Sequence, residues 1–233
     1  MAEDIFYVVE LALPREHLPD FVTWYAGVHA PHLFQGGFTT CTSYLAVSGG
    51  LSVVDIYQAK DWSLFHSAPF ARYRALASAD PYRPAILAEV TNPRTVYHHH
   101  AGSPLPSRDP AAPFHADWVL MWRFPGDASL EKRVAAWLDD EGDAALRRLG
   151  AQGVRLLHRG KDTPTGTSFR PALAVVTEWD RRPAEAAANA ALPDWIRAAI
   201  GDEEGFAGLR LYPWPDVPAS RAEMLKLTAG ARS

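Results

Sequence analysis

Histidines, tyrosines and two acids inside apolar stretches are the side chains of this sequence with chemistry to offer. His29 stands in the run Trp24-Tyr25-Ala-Gly-Val-His29-Ala-Pro31. An imidazole titrates at about 6.5 when unperturbed, so a positioned histidine can take a proton from an acidic C–H or O–H and return it elsewhere. Pro31 disfavours helical geometry at Ala30, so the helix that carries His29 is expected to end there and present the side chain at a pocket mouth. His66, in Phe65-His66-Ser-Ala-Pro69, is a second candidate for proton transfer. Asp55 and Tyr57 are two residues apart, so a strand puts both on one face. A carboxylate there is partly buried and needs a partner. A histidine oriented by it becomes a better base, whereas an ion pair with Arg72 or Arg74 is the purely structural alternative. Glu10, alternating with Phe6 and Val8, is a similar candidate, and one of the two acids is expected to meet a histidine.

The expected catalytic set is therefore His29, His66, Tyr25 and Asp55. Trp24, His32, Tyr44, Tyr57, Tyr73 and Glu10 are expected to bind substrate, through hydroxyl donors and a stacking wall for a flat ligand. Core packing is the alternative role for each aromatic. His29 and His32 are three apart, a spacing that could ligate a metal on a continuous helix, but Pro31 lies between them and no HExxH or cysteine partner accompanies them. No metal site is expected. His98-His99-His100 closes an apolar stretch, where alternation lets at most two of the three serve one site. The sequence has no Gly-rich phosphate loop, no G-x-S-x-G elbow and no dinucleotide fingerprint, so no cofactor is expected.

The elements that must hold these residues occur twice. Ile5 to Pro14 aligns without gaps on Ala116 to Pro125, matching Tyr7 with Trp118, Val8 with Val119, Leu13 with Phe124 and Pro14 with Pro125. Both read as strands ended by proline. Helical periodicity follows over Arg15 to Phe34 and over Ser129 to Leu149, with Trp24 matching Trp137. Gly36-Gly37 and Gly150 mark the helix ends. Second strands are expected over Phe38 to Val47 and Val154 to Arg159. They form hairpins with third strands at Leu51 to Tyr57 and Leu173 to Trp179, the best-matching pair. Trp62 to Ala79 and Pro183 to Ile200 read as second helices, and Thr95 to His100 and Gly208 to Tyr212 as fourth strands. The order is β-α-β-β-α-β, twice. A four-stranded sheet with both helices on one face leaves its other face bare, and the second copy supplies the cover. The expected fold is α+β: two ferredoxin-like repeats whose antiparallel sheets pack as a single-chain dimeric α/β barrel. Residues 1–100 form the first repeat, bearing the site. Residues 101–114, rich in proline, form a linker, 115–215 the second repeat and 216–233 a C-terminal tail.

The chain has 233 residues, 48% hydrophobic and 21% charged, with a net charge of −4, which is ordinary for a globular protein and supplies no basic field for nucleic acid. An acidic start and the lack of a long apolar run point away from a leader or a membrane span, so a cytoplasmic location is expected. The single cysteine, Cys41, excludes an internal disulfide and reads as a small buried hydrophobe.

The Trp24-Tyr25-Ala-Gly-Val-His29-Ala-Pro31 run resembles the Trp-Tyr-x-x-x-His-x-Pro motif of the EthD-like branch of the dimeric α/β-barrel superfamily. Phe65-His66-Ser-Ala-Pro69 with Tyr73-Arg74 is similar to the His- and Tyr-bearing helix of related cyclases. The superfamily includes polyketide cyclases, lactone isomerases, cofactor-free monooxygenases and haem enzymes, so fold alone selects no reaction. In the second copy Trp137 is kept, but Asp139-Asp140-Glu141-Gly142-Asp143 holds no histidine, which implies one pocket per chain. The expected activity is cofactor-independent, His-based acid/base chemistry of the cyclase, isomerase, dehydratase or decarboxylase type, on a small aromatic or polyketide-like metabolite. Alternatives are a cofactor-free anthrone-type monooxygenase, a haem protein with a histidine axial ligand, and a non-catalytic small-molecule binder. The chain is expected to act as a monomeric pseudo-dimer or as a homodimer, with no nucleic-acid or membrane partner.

Overall fold

The computed structural model describes residues 4–100, 112–160, 170–200 and 205–229. In chain order the strands are Ile5–Leu11 (β1), Thr40–Ala46 (β2), Val53–Ala59 (β3), Arg94–His99 (β4), Trp118–Phe124 (β5), Gly153–Arg159 (β6), Leu173–Trp179 (β7) and Gly205–Tyr212 (β8). Every residue of β1, β3, β5 and β7 is buried, which requires cover on both faces of the sheet. That cover comes from closure. All neighbouring strands pair antiparallel in the order β1-β3-β2-β8-β5-β7-β6-β4, and β4 returns to β1 to complete an eight-stranded barrel. A closed barrel leaves no sheet edge to pair with another chain.

Alternation along each strand then separates two apolar layers. Phe6, Val8, Tyr44, Val54, Ile56 and Phe114 belong to the barrel interior. Tyr7, Val9, Leu11, Val53 and Tyr57 face outward against the helices. Phe114, next to the proline-rich stretch, seals the interior: its N–H donates to Gln58 Oε1 at 3.2 Å and its carbonyl accepts from Thr42 Oγ1 at 2.7 Å. Of the expected linker, residues 101–111 lie outside the described residues.

The helices are Leu18–Trp24 (α1), Ala30–Gln35 (α2), Ala68–Ser78 (α3), Ala128–Trp137 (α4), Asp143–Arg148 (α5), Glu185–Ala191 (α6), Asp194–Arg197 (α7) and Pro218–Ala229 (α8). The expected end of the first helix at His29 is corrected. The chain passes from α1 through a π turn, Tyr25–His29, into α2, and the Ala30 N–H donates to the Tyr25 carbonyl five residues back. Widening the helix by one residue just before Pro31 accommodates an imino acid that lacks an N–H, so the helix continues instead of breaking. A second π turn, Leu138–Gly142, follows Trp137 as the first follows Trp24. Gly37 (φ +102°) and Gly150 (φ +112°) turn the chain out of α2 and α5 in the left-handed conformation that glycine tolerates. Pro193 splits the expected second helix of the later half into α6 and α7, and the expected tail carries α8. No described helix is long and apolar enough to cross a membrane.

Candidate active site

A cavity of about 310 Å³ opens between the outward face of β1, β3 and β4 and the helices above it. Its floor follows from strand register. Val9 pairs with Asp55 on one side and with Arg94 on the other, so Asp55, Val9 and Arg94 form one row across three strands. The next row begins Tyr57–Tyr7. Trp24, His29 and Tyr73 line the walls, with Phe21, Phe70 and Leu87 adding apolar surface.

Asp55 is 2% exposed. Tyr57 donates to its Oδ2 at 3.0 Å, and Ser43, its cross-strand partner, brings a hydroxyl toward the same carboxyl without closing a well-formed hydrogen bond. Burial dominates and pushes the carboxyl up to about 7, although both hydroxyls favour the anion and offset part of the shift. Asp55 is therefore the group of this site that changes charge near neutrality. The same burial, with the negative field of Asp55, raises the Tyr25 and Tyr57 hydroxyls well above their ordinary range.

His29 behaves in the opposite sense. Its ring stacks on Trp24 with centroids 4.5 Å apart and planes inclined by 23°, and Tyr73 stands 6.1 Å away. The Trp24 indole is fixed by donating Nε1–H to Asp80 Oδ2 at 2.7 Å. Burial lowers the His29 imidazole to about 3, with further lowering from the Arg83 guanidinium and His32. The expectation of a histidine base near neutrality is thus corrected: His29 is at the cavity but is held neutral. In that state it can donate or accept a hydrogen bond there.

The structure brings together Trp24, His29, Asp55, Tyr57 and Tyr73, with Tyr25 buried behind them, its ring 5.5 Å from that of His29. Other candidates lie elsewhere. His66 is exposed on the turn Trp62–His66, because Phe65 takes the inward position. His32 is half-buried on α2 and is not among the residues that line the cavity. Glu10 and Tyr44 have the opposite parity and point into the barrel. Glu10 pairs there with Arg123, and with Arg170 at 2.5 Å. The Tyr44 hydroxyl donates to the Ala116 carbonyl at 3.0 Å. Among the described residues neither acid bonds to a histidine, nor does Asp55 pair with Arg72 or Arg74. At the end of β4, His100 meets Glu131 at 2.9 Å and His158 lies 3.5 Å from the same oxygen, away from the cavity. No group of three or more His, Cys, Asp or Glu among the described residues has the arrangement to hold a metal ion.

Tyr7, Asp80, Arg83 and Arg94 are among the contributors that the sequence does not single out. Tyr7 had a signal, its match to Trp118. Arg94 had a weaker one, the strand parity it shares with Val96.

The later half repeats the floor without its charges. Trp118 pairs with Trp179 as Tyr7 pairs with Tyr57, and Leu120 stands between Thr177 and Ala207 as Val9 stands between Asp55 and Arg94. Trp179 donates to Thr177 at 2.8 Å, as Tyr57 does to Asp55. Over that floor, a Cβ on Gly142 would come within 2.6 Å of the Trp137 ring, so no side chain occupies the position of His29.

A closed antiparallel barrel of eight strands with helices outside and a cleft between sheet and helix is the dimeric α/β-barrel fold, and solved structures of that fold superpose on nearly the whole chain. An anthrone oxidase-like protein matches 90% of this chain and 91% of its own length, with 12% identity and a TM-score of 0.54. A variant of chlorite dismutase from Candidatus Nitrospira defluvii covers 99% of this chain and 95% of its own, at 14% identity and TM-score 0.53. A candidate monooxygenase from Fusobacterium nucleatum covers 90% and 93%, at 8% identity and TM-score 0.51. No family model and no curated protein matches the sequence.

Proposed function

We propose that the chain is a cofactor-independent enzyme that moves a proton on a small planar, aromatic or polyketide-like metabolite, with Asp55 as the base. The observation that carries this reading is a buried carboxyl poised at about 7 on the floor of an aromatic cavity. In its anionic form Asp55 takes a proton from an acidic C–H or O–H, and the electron pair passes to a carbonyl or ring oxygen of the substrate. Tyr73 and neutral His29 line the same cavity and can donate hydrogen bonds to that oxygen. Tyr57 holds the Asp55 carboxyl in place. Returning the proton at another position gives isomerisation or cyclisation; losing hydroxide or carbon dioxide gives dehydration or decarboxylation.

Cofactor-free oxygenation is the second reading, and it starts from the same proton transfer. An electron-rich carbanion or phenolate in this cavity can give an electron to O2. The peroxide that forms at carbon then loses water, so that a CH2 group and O2 become a carbonyl and H2O. The aromatic lining and the names of the anthrone oxidase-like and monooxygenase neighbours favour it. A haem reading has no specific observation behind it at His29, whose ring is stacked on Trp24.

The paired registers and paired π turns support a tandem duplication of a ferredoxin-like unit over residues 1–100 and 115–215, with chemistry kept in the first. The Trp24 to Pro31 run supports placing it in the EthD-like branch. Closure of all eight strands within one chain supports a monomeric working unit.

Anthrone, in buffer freed of metals by chelation, separates the readings. Oxygen uptake that disappears in Asp55→Asn supports oxygenation. Deuterium exchange at the methylene without oxygen uptake supports proton transfer alone. Exchange or uptake undiminished in a folded Asp55→Asn variant rejects Asp55 as the base.

A further inference from the structure

Three arginines, Arg74, Arg83 and Arg94, line the cavity beside one acid, Asp55. Asp80 borders the site but is engaged by the Trp24 indole and the Tyr82 N–H. Among the described residues neither Arg83 nor Arg94 forms an ion pair, and the one side-chain hydrogen bond of Arg83 is a long contact of 3.4 Å to the Leu87 carbonyl. The charge of both is felt at the site, since each disfavours a cation on His29 and favours the anion of Tyr73. Arg94 is half-buried and belongs to the same floor row as Asp55, one strand beyond Val9. With strands about 4.8 Å apart, the two Cα atoms are separated by roughly 10 Å, the reach of a two-ring molecule. The corresponding row of the later half, Thr177–Leu120–Ala207, has neither acid nor cation. The acid and the arginine therefore occur together or not at all.

We propose that the ligand of this cavity carries an anionic group, a carboxylate or an acidic phenolate, that docks on Arg94 with help from Arg83 while its reacting position lies over Asp55. This rests on the proton-transfer reading for the role of Asp55 only; the anion site itself stands on the arginines. A guanidinium offers a planar fork that matches a carboxylate, and a partly desolvated pair of this kind is stronger than a neutral hydrogen bond. The same cation also favours charge that develops on a substrate oxygen as the proton leaves.

Isothermal titration with 1-naphthoate and 1-naphthamide, probes of the same shape and different charge, tests the proposal. The acid is expected to bind tighter than the amide by about tenfold or more at low salt, with the gap narrowing as salt screens the pair. Arg94→Met should reduce the gap to about threefold or less, and Arg94→Lys should retain part of it. Asp55→Asn removes a negative charge from the cavity and should keep or widen the gap while turnover is lost, so a failure here differs from a failure of the base assignment, which is read by turnover. Equal binding of acid and amide, binding of neither, or a gap that survives Arg94→Met with a native circular dichroism spectrum would each overturn the proposal. If Arg94→Met does not fold, the salt dependence of the wild-type gap and the Arg94→Lys value decide.

Discussion

Tyr57 donates its hydroxyl proton to the carboxylate oxygen of Asp55 at 3.0 Å, two residues back along the same face of β3. The bond fixes an acid that burial would otherwise leave without support, on the floor of the cavity. Because burial outweighs the bond, the acid is protonated below neutrality and anionic above it.

The pH dependence of turnover follows from that balance. The rate at low substrate should rise with an apparent pKa near 7 and level off above about pH 8, since only the Asp55 anion accepts a proton. His29, lowered to about 3, contributes no limb between pH 5 and 8. Proton NMR of the imidazole should accordingly show no His29 titration in that interval; a midpoint near 6.5 would contradict the neutral state of this half-buried ring.

Stability should respond to the same two groups with opposite signs. The folded Asp55 value lies above the unfolded one, so its contribution is full below about pH 4 and is lost as pH rises through about 7. The folded His29 value lies below the unfolded one, so its contribution is full above about 6.5 and is lost as pH falls toward 3. Asp55→Asn should therefore melt higher than wild type at pH 8.5 and lose most of that advantage at pH 5. Thermal melts of the two proteins at the two pH values measure this directly.

Gly27 and Gly142 lie in the two π turns, and alanine should affect them differently. Nothing approaches a Cβ on Gly27 within 4 Å, whereas one on Gly142 meets the Trp137 ring at 2.6 Å. Gly27→Ala should stabilise by up to about 1 kcal/mol through helix propensity. Gly142→Ala should instead destabilise by about 1–3 kcal/mol through overpacking. Chemical denaturation of both variants tests whether the Trp137 ring leaves no room for a side chain at Gly142, the counterpart of His29.

Glu10 should be a stability residue. Replacing it by alanine leaves Arg123 buried without its carboxylate, at a cost of about 3–5 kcal/mol, with ligand binding unchanged in the folded fraction. A Glu10→Ala variant that folds normally but no longer binds naphthoate would move Glu10 back into the site.

How much of this was legible depended on what each residue's signal could encode. The strands and their pairing were readable because Tyr7 and Tyr57 recur as Trp118 and Trp179, and these pairs face each other in register. The face was not readable. β1 is apolar at both parities, since one face lines the barrel and the other meets the helices, so alternation could not say that Glu10 points inward and Asp55 outward. His29 was found by its motif, but its charge state depends on Trp24, Arg83 and burial, none of which spacing conveys. Pro31 gave a misleading signal, because the π turn that absorbs it has no sequence mark of its own. Arg94 and Arg83 reach the cavity from a strand start and a loop far along the chain, where only the assembled fold shows them near His29.

The titration of the Asp55 carboxyl tests the central claim without a known substrate. Infrared difference spectra between pH 5 and 9, wild type against Asp55→Asn, should show a protonated carboxyl band that disappears with a midpoint near 7 and is missing from the variant. A midpoint near 4, with no band unique to wild type above pH 5, would mean that Asp55 is an ordinary carboxylate and that the base of this cavity lies elsewhere.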